Sequence, residues 1–294
     1  MRPFLTLLLV TAAVAAAEPK KKPPAEIPAG VGVERDVAYL TADRKELADL
    51  YFPKDLLQGA RIPAVLVIHG GGFNDGDKGR SREINIATNV ALHGYVAMSI
   101  NYKLARVKGK ATWPQCLHDA KTAVRWLRKN AERLQVDPER IGVIGCSAGG
   151  NMAAMLALTR PDDSLDPQEP YGEFSARVTC AVDFYGAVDL MNYHEMKMFA
   201  KTRAEAPELY RKASPVTYAH QNAAPLLMVH GTADETVPLS QSETLAAALT
   251  KARAEHELVV ISGAPHTFDL QPKQRDLRPL VLGFLDQNLK SHNP

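Results

Sequence analysis

Gly145-Cys146-Ser147-Ala148-Gly149 sets a serine between glycines, directly after the apolar run Ile141 to Ile144. Alone, a G-x-S-x-G pentapeptide is a weak signal, because it arises by chance. Its context is more specific: the apolar run reads as a buried strand, and an Ala-rich helical stretch opens at Ala148. A strand-to-helix turn this sharp strains the serine backbone and leaves the hydroxyl above the sheet edge. The flanking glycines admit neighbouring chain without a Cβ clash. Amides at the helix start favour negative charge developing beside the hydroxyl. A serine attacks a carbonyl only when a base takes its proton, so the chemistry also needs a histidine and an orienting carboxylate. The plain structural alternative is a tight turn with an inert serine.

Two further segments supply what such a serine needs. His69-Gly70-Gly71-Gly72-Phe73 follows the apolar strand Ala64 to Ile68. Three successive glycines are entropically costly, which implies a steric reason for them. Acyl transfer requires amide donors aimed at the oxyanion of a tetrahedral intermediate. Backbone N–H groups of an HGGG segment provide them, joined by the amide after the nucleophile, here Ala148. A flexible surface loop is the competing reading, and His69 itself reads as a brace. The base and acid then follow the serine in chain order. His266 lies just beyond the strand Glu257 to Ile261, and Asp234 lies in the turn after Leu226 to Val229. Both belong at the carboxyl edge of the sheet, where ligand-facing groups gather. Glu235 and Asp189 compete with Asp234 as the acid. His230 and His118 read as packed or hydrogen-bonded residues, and His93 as a helix end.

The elements that must hold these residues alternate between strand and helix. Val33 to Leu40 and Leu47 to Phe52 read as an opening hairpin. Pro63 to Ile68, Tyr95 to Ile100, Ile141 to Ile144, Val178 to Tyr185, Pro225 to Val229 and Glu257 to Ile261 read as further strands. Several of these are continuous apolar runs, as expected of strands covered on both faces. Helices are expected over Trp113 to Leu134, Ala148 to Leu158 and about Arg275 to Leu289, with a turn at Asp137-Pro138. This pattern predicts an α/β domain with a mostly parallel sheet. The longest stretch without strand character, Asp189 to Asn222, is expected to form helical pieces of a small lid.

Composition limits the alternatives. The chain has 294 residues and a formal net charge of +2, which gives no reason to expect a nucleic-acid or anionic-membrane partner. Arg2, the apolar run Phe4 to Ala17 and the small residues Ala15 and Ala17 read as a signal peptide over 1–17. That run is too short to span a bilayer, which takes about 20 apolar residues. Residues 18–32, with Lys20-Lys21-Lys22 before Pro23-Pro24, read as a solvated linker, leaving 33–294 as one catalytic domain. A secreted or periplasmic location is therefore expected, with no membrane association once the signal is removed. Cys116, Cys146 and Cys180 have no framework spacing and are assigned a reduced, structural role. No cofactor or metal is expected.

HGGGF, GCSAGG, GTADETVP and APHTF together resemble the α/β-hydrolase esterases over about His69 to Phe268. The HGGG and SAGG combination resembles hormone-sensitive-lipase-like carboxylesterases. The stretch Trp113 to Ala153 is similar to secreted feruloyl- and acetylxylan-esterase-like hydrolases. The resemblance implies an α/β-hydrolase fold, with helices on both faces of the sheet. It also implies a Ser147–Asp234–His266 triad and an oxyanion hole formed by Gly71, Gly72 and Ala148. The chain departs from the lipase-like pattern in having Cys146 where an acidic residue is usual and only a short linker before its first strand. These departures favour the polysaccharide-esterase-like branch and an open site for short acyl groups. Tyr193, Tyr210 and Tyr218 are candidates for stacking on sugar or phenolic rings, or equally for packing the lid. The expected substrate is a small-molecule or polysaccharide ester. A serine peptidase of the same fold and an inactive binding protein remain the alternatives.

Overall fold

The structure, a computed structural model, describes residues 26–290. The predicted signal peptide and most of the linker lie outside the described residues. Eight strands form one sheet: β1 (Val31–Ala38), β2 (Leu47–Pro53), β3 (Ile62–Ile68), β4 (Val96–Ile100), β5 (Val136–Cys146), β6 (Cys180–Phe184), β7 (Leu226–Gly231) and β8 (His256–Ile261). Their spatial order is β1-β2-β4-β3-β5-β6-β7-β8. β1 and β2 pair antiparallel, β2 meets β4 antiparallel, and every later pairing is parallel. This is the α/β-hydrolase fold.

The apolar runs explain why the sheet is covered on both sides. Along β3, Ala64, Leu66 and Ile68 enter one core while Val65 and Val67 enter the other. Successive side chains of a strand point to opposite faces, so a strand buried on both must be apolar throughout. Helices α2 (Gln115–Lys129), α4 (Ala148–Leu158) and α6 (Ser240–Ala252) contribute to the first core, and α1 (Ser81–Leu92) and α7 (Arg278–Leu289) to the second. All residues of α4 are buried, which accounts for its Ala, Met and Leu content. Truncating a fully buried β3 side chain such as Leu66 to Ala is worth about 2–5 kcal/mol of stability.

Several boundaries differ from the sequence expectation. The helix expected over Trp113 to Leu134 is two helices, α2 and the single turn α3 (Ala131–Leu134). Asn130 lies at the break, and its side-chain amide shares the Trp126 carbonyl with its own backbone N–H, at 2.9 and 3.0 Å. Asp137-Pro138 is not a turn ahead of a strand but lies inside β5. The register there jumps from Val136↔Ile62 to Ile141↔Ala64, so the extra residues bulge out. A bulge accommodates a proline, which has no ladder N–H to lose. Helices α1 and α6 carry patterns that the sequence reading did not single out. His93 does cap α1. The segment after β6 holds three short 3-10 turns and α5 (Pro207–Lys212), the helical pieces expected there.

Candidate active site

Five strand ends build the site, and all lie at the carboxyl edge of the parallel sheet. β3 leads into His69 to Gly72, β5 into Ser147, β6 into Tyr185, β7 into Asp234 and β8 into His266. Ser147 sits between the last residue of β5 and the first of α4, at φ 57° and ψ −115°. A non-glycine residue with positive φ is strained, and the surroundings hold it there. Its N–H donates to the Phe184 carbonyl on the neighbouring strand at 2.8 Å. Steric fit explains the adjoining glycines. A Cβ on Gly149 would lie 2.1 Å from the Ile68 carbonyl oxygen, and one on Gly150 would lie 2.1 Å from Asp183 Oδ1. Within 141–150 only Ser147 is half-exposed; its neighbours are buried.

The structure brings together the three residues that the chain order paired. Ser147 Oγ lies 3.0 Å from His266 Nε2, and His266 Nδ1 lies 2.6 Å from Asp234 Oδ2. A carboxylate only accepts, so His266 carries its hydrogen on Nδ1 and offers Nε2 to the serine hydroxyl. Asp234 Oδ1 accepts the N–H groups of Thr236 and Val237, both at 2.9 Å, which fixes the carboxylate plane. The aspartate side chain is wholly buried and the histidine side chain is 12% exposed. This arrangement can move a proton from the serine to the imidazole while the carboxylate stabilises the imidazolium.

The competing acids are elsewhere. Asp189 caps a 3-10 turn, accepting from Met191 N at 3.1 Å and from the Asn192 amide at 2.7 Å. Glu235, next to Asp234, is exposed. His230 is buried, as expected of a packed residue, with Nε2 2.8 Å from the Val237 carbonyl and Nδ1 2.7 Å from Ser242 Oγ. His118 is half-buried, and burial lowers its pKa.

The glycine segment after β3 is tightly drawn against the serine turn. A Cβ on Gly70 would fall 2.8 Å from the Cys146 carbonyl oxygen and 3.1 Å from both Arg82 Nη2 and Ser147 Cβ. Gly71 and Gly72 have φ values of +120° and +59°. The N–H groups of Gly71, Gly72 and Ala148 donate to no acceptor among the described residues, which leaves them free for a ligand oxygen. His69 braces the segment from inside. Its Nδ1 donates to the Gly70 carbonyl at 2.7 Å and its ring stacks on Tyr102 at 4.3 Å. Burial, the largest influence, pushes its pKa down to about 4, so it stays neutral.

Three residues near the site escaped the sequence reading. Tyr185, at φ 45°, packs edge-on against the His266 ring at 4.6 Å and donates its hydroxyl to the Phe268 carbonyl. Arg82 sits beside Gly70 and pairs with the buried Glu83 at 2.7 Å. No local pattern marks either of them. Asp183 is the third, an acid inside the otherwise apolar β6 run Cys-Ala-Val-Asp-Phe, and that interruption was a usable signal. It is fully buried under the start of α4, accepts Gly186 N–H at 2.8 Å, and leaves Oδ2 without a partner. Burial raises its pKa to about 7.

The tyrosines of the lid segment split. Tyr210 is fully buried against Phe199, which removes it as a stacking platform; its hydroxyl donates to Glu195 and lies 2.9 Å from the Lys201 carbonyl. Tyr193 and Tyr218 remain half-exposed. Tyr193 donates to the Thr236 carbonyl at 2.8 Å, tying the segment to the Asp234 turn, and Tyr218 donates to the Lys212 carbonyl at 2.9 Å. All three cysteines are free and buried, and burial lifts the Cys146 thiol to about 12.

Known proteins share this architecture. The esterase LipQ of Mycobacterium tuberculosis is 32% identical over 80% of this chain and 57% of its own length. The chain thus spans little more than half the length of the first curated relatives it matches. A truncated carbohydrate esterase from gut microbiota superposes with a TM-score of 0.81, covering 92% of this chain and 100% of that one; at 22% identity this speaks for the fold alone. The propionate-bound Est2 esterase of the planctomycete Thermogutta terrifontis superposes with a TM-score of 0.75 at 27% identity, covering 90% of this chain and 97% of that one. The BD-FAE family model matches residues 48–249, from β2 through most of α6, and so takes in the glycine segment, Ser147 and Asp234. On that match, and with a serine turn and sheet edge of this form, the chain belongs to the BD-FAE family.

Proposed function

We propose that this protein is an exported serine hydrolase that cleaves carboxylic esters, with Ser147 as nucleophile, His266 as base and Asp234 as the orienting acid. The observation that carries this reading is the unbroken relay from Ser147 Oγ through His266 to Asp234 beside three unpaired backbone amides. Ser147 Oγ attacks the ester carbonyl as its proton passes to His266 Nε2. The oxyanion lies against the N–H groups of Gly71, Gly72 and Ala148, where fixed dipoles act without reorganising. The intermediate collapses, His266 protonates the departing alkoxide, and an acyl-serine remains. Water, deprotonated by the same imidazole, then releases the carboxylic acid.

The substrates are esters of short acyl or feruloyl groups, borne by polysaccharides or small alcohols. Support comes from the propionate held by the Thermogutta neighbour. The test is a panel of p-nitrophenyl esters of rising chain length, run beside acetylated xylan and methyl ferulate. Acetyl to butyryl esters are expected to give the highest kcat/KM. A maximum at octanoyl or longer, with neither acetate released from xylan nor ferulate from its methyl ester, overturns the substrate assignment.

A further inference from the structure

The chain as a whole is nearly balanced, with 35 basic and 33 acidic residues, but its charge is unevenly placed. The loop over 103–110, Lys-Leu-Ala-Arg-Val-Lys-Gly-Lys, carries four cations and no acid. The segment over 197–203, Lys-Met-Phe-Ala-Lys-Thr-Arg, carries three cations and no acid. These two stretches are far apart in sequence yet face each other across a cleft of about 600 Å³.

Arg106, Lys108, Lys197 and Lys201 line this cleft and are exposed. None of the four forms a salt bridge or a side-chain hydrogen bond among the described residues. Asp75 feels the charge of Arg106 but is itself bound to Arg80 at 2.6 Å. The two carboxylates of the cleft are hydrogen-bonded within the lid itself, and Glu205 also feels the charge of Lys201. Glu195 accepts Tyr210 O–H and Arg203 N–H, and Glu205 accepts both the N–H and the hydroxyl of Thr202 at 2.7 and 2.8 Å. Four cations against two carboxylates leave the lining of the cleft net positive, which favours an anionic ligand. Val107, 56% exposed between two of the cations, adds a small apolar surface to the cleft.

The walls of the cleft hang from the candidate active site. Ala105 N–H donates to the carbonyl of Phe73, the residue after Gly72, at 2.8 Å. On the other side Tyr193 holds the Thr236 carbonyl, and the Arg203 guanidinium holds the Tyr193 carbonyl at 2.5 Å. One wall of the cleft is thus tied to the residue after the glycine segment, and the lid segment that forms the other wall is tied to the Asp234 turn.

We propose that this cleft is a binding subsite for an acidic glycan, one whose sugars carry carboxylate or sulfate groups, seated so that an acyl group on the same chain reaches Ser147. The assignment rests on the ester-hydrolase reading for its catalytic meaning, while the binding itself does not. A concave, bounded site suits an extended chain better than a flat anionic lipid surface.

The experiment separates the two. Calorimetry on full-length Ser147→Ala at low salt measures binding of hexagalacturonate, a sulfated hexasaccharide and neutral xylohexaose, without turnover. Either acidic glycan is expected to bind at least about tenfold more tightly than xylohexaose, and high salt should erase the difference. Adding Arg106→Gln, Lys108→Gln, Lys197→Gln and Lys201→Gln should weaken acidic-glycan binding by about tenfold or more; Lys108→Gln with Lys201→Gln, both exposed, serves if the full set misfolds. Relative preference among the three ligands also reports which anionic group is taken. Equal binding of acidic and neutral glycans, binding unmoved by the substitutions, or capture by phosphatidylglycerol vesicles in place of glycans overturns the proposal. Hydrolysis of p-nitrophenyl acetate by the unaltered chain tests the ester-hydrolase reading separately.

Discussion

His230 Nε2 lies 3.4 Å from Asp234 Oδ2, the same oxygen that meets His266 Nδ1 at 2.6 Å. The longer distance is beyond a good hydrogen bond, and the shorter Nε2 contact is to the Val237 carbonyl at 2.8 Å. A carbonyl only accepts, so Nε2 bears the hydrogen and Nδ1 accepts the Ser242 hydroxyl. Burial lowers the His230 pKa, keeping the ring neutral. A neutral His230 thus anchors the turn that presents Asp234 without drawing the carboxylate away from His266. Replacing His230 with Phe leaves the Val237 carbonyl and the Ser242 hydroxyl unpaired, which costs about 1–3 kcal/mol of stability each. The expected result is a lower Tm and a kcat reduced by roughly tenfold with KM little changed, since Asp234 loses its fixed position. Denaturant unfolding and steady-state kinetics check both, and an unaltered kcat counts against this anchoring role.

Ser147→Ala is expected to leave a folded protein with kcat/KM down by roughly four orders of magnitude. A fluorophosphonate probe should label the parent chain at Ser147 and leave the variant unlabelled, as read by peptide mass spectrometry. Labelling at another serine removes Ser147 from the nucleophile role.

Asp234→Asn keeps the size of the side chain but presents an amide that favours the wrong His266 tautomer. A kcat loss of about four orders of magnitude is expected. Asp189→Asn and Glu235→Gln should cost less than about tenfold, because Asp189 is engaged on its own 3-10 turn and Glu235 is exposed, while Asp234 is the acid bonded to His266. Parallel kinetics on the three variants decide the matter, and a crippling Asp189→Asn points to an acid after β6 instead.

Asp183 provides a pH test of folding. Its pKa is about 7 in the folded chain against an ordinary value of 3.8, so the fold favours the protonated form. That contribution is complete below about pH 3.8 and is lost as pH rises through about 7. Asp183→Asn cannot ionise, so its stability relative to the parent should improve by about 1.4 kcal/mol per pH unit over this window and level off above it. Urea unfolding of both proteins at about pH 4.5, 6 and 7.5 measures the divergence. Parallel stability curves contradict a protonated, buried Asp183.

The local motifs were legible in the sequence because they answer to backbone requirements within a few residues. Apolar runs placed the strand ends, glycines marked where chain must pass close to chain, and the strand-to-helix change at Ser147 located the serine turn. Histidine and acid candidates followed from chain order and from their places just past predicted strand ends. What sequence could not settle were contacts between distant positions: Ser147 and His266 are 119 residues apart and Asp234 and His266 are 32 apart. Asp234 and Glu235 are chemically near-equivalent neighbours, and only folding buries one against His266 and leaves the other in water. For Tyr210 the sequence left stacking and lid packing equally open, and enclosure against Phe199 decided for packing. The same holds for the two cationic stretches, whose spacing in the chain gives no sign that they share a cleft. Residue type and local pattern state which chemistry is available; distance, burial and the direction of a hydrogen bond belong to the tertiary structure, because they depend on which strand ends the sheet sets side by side.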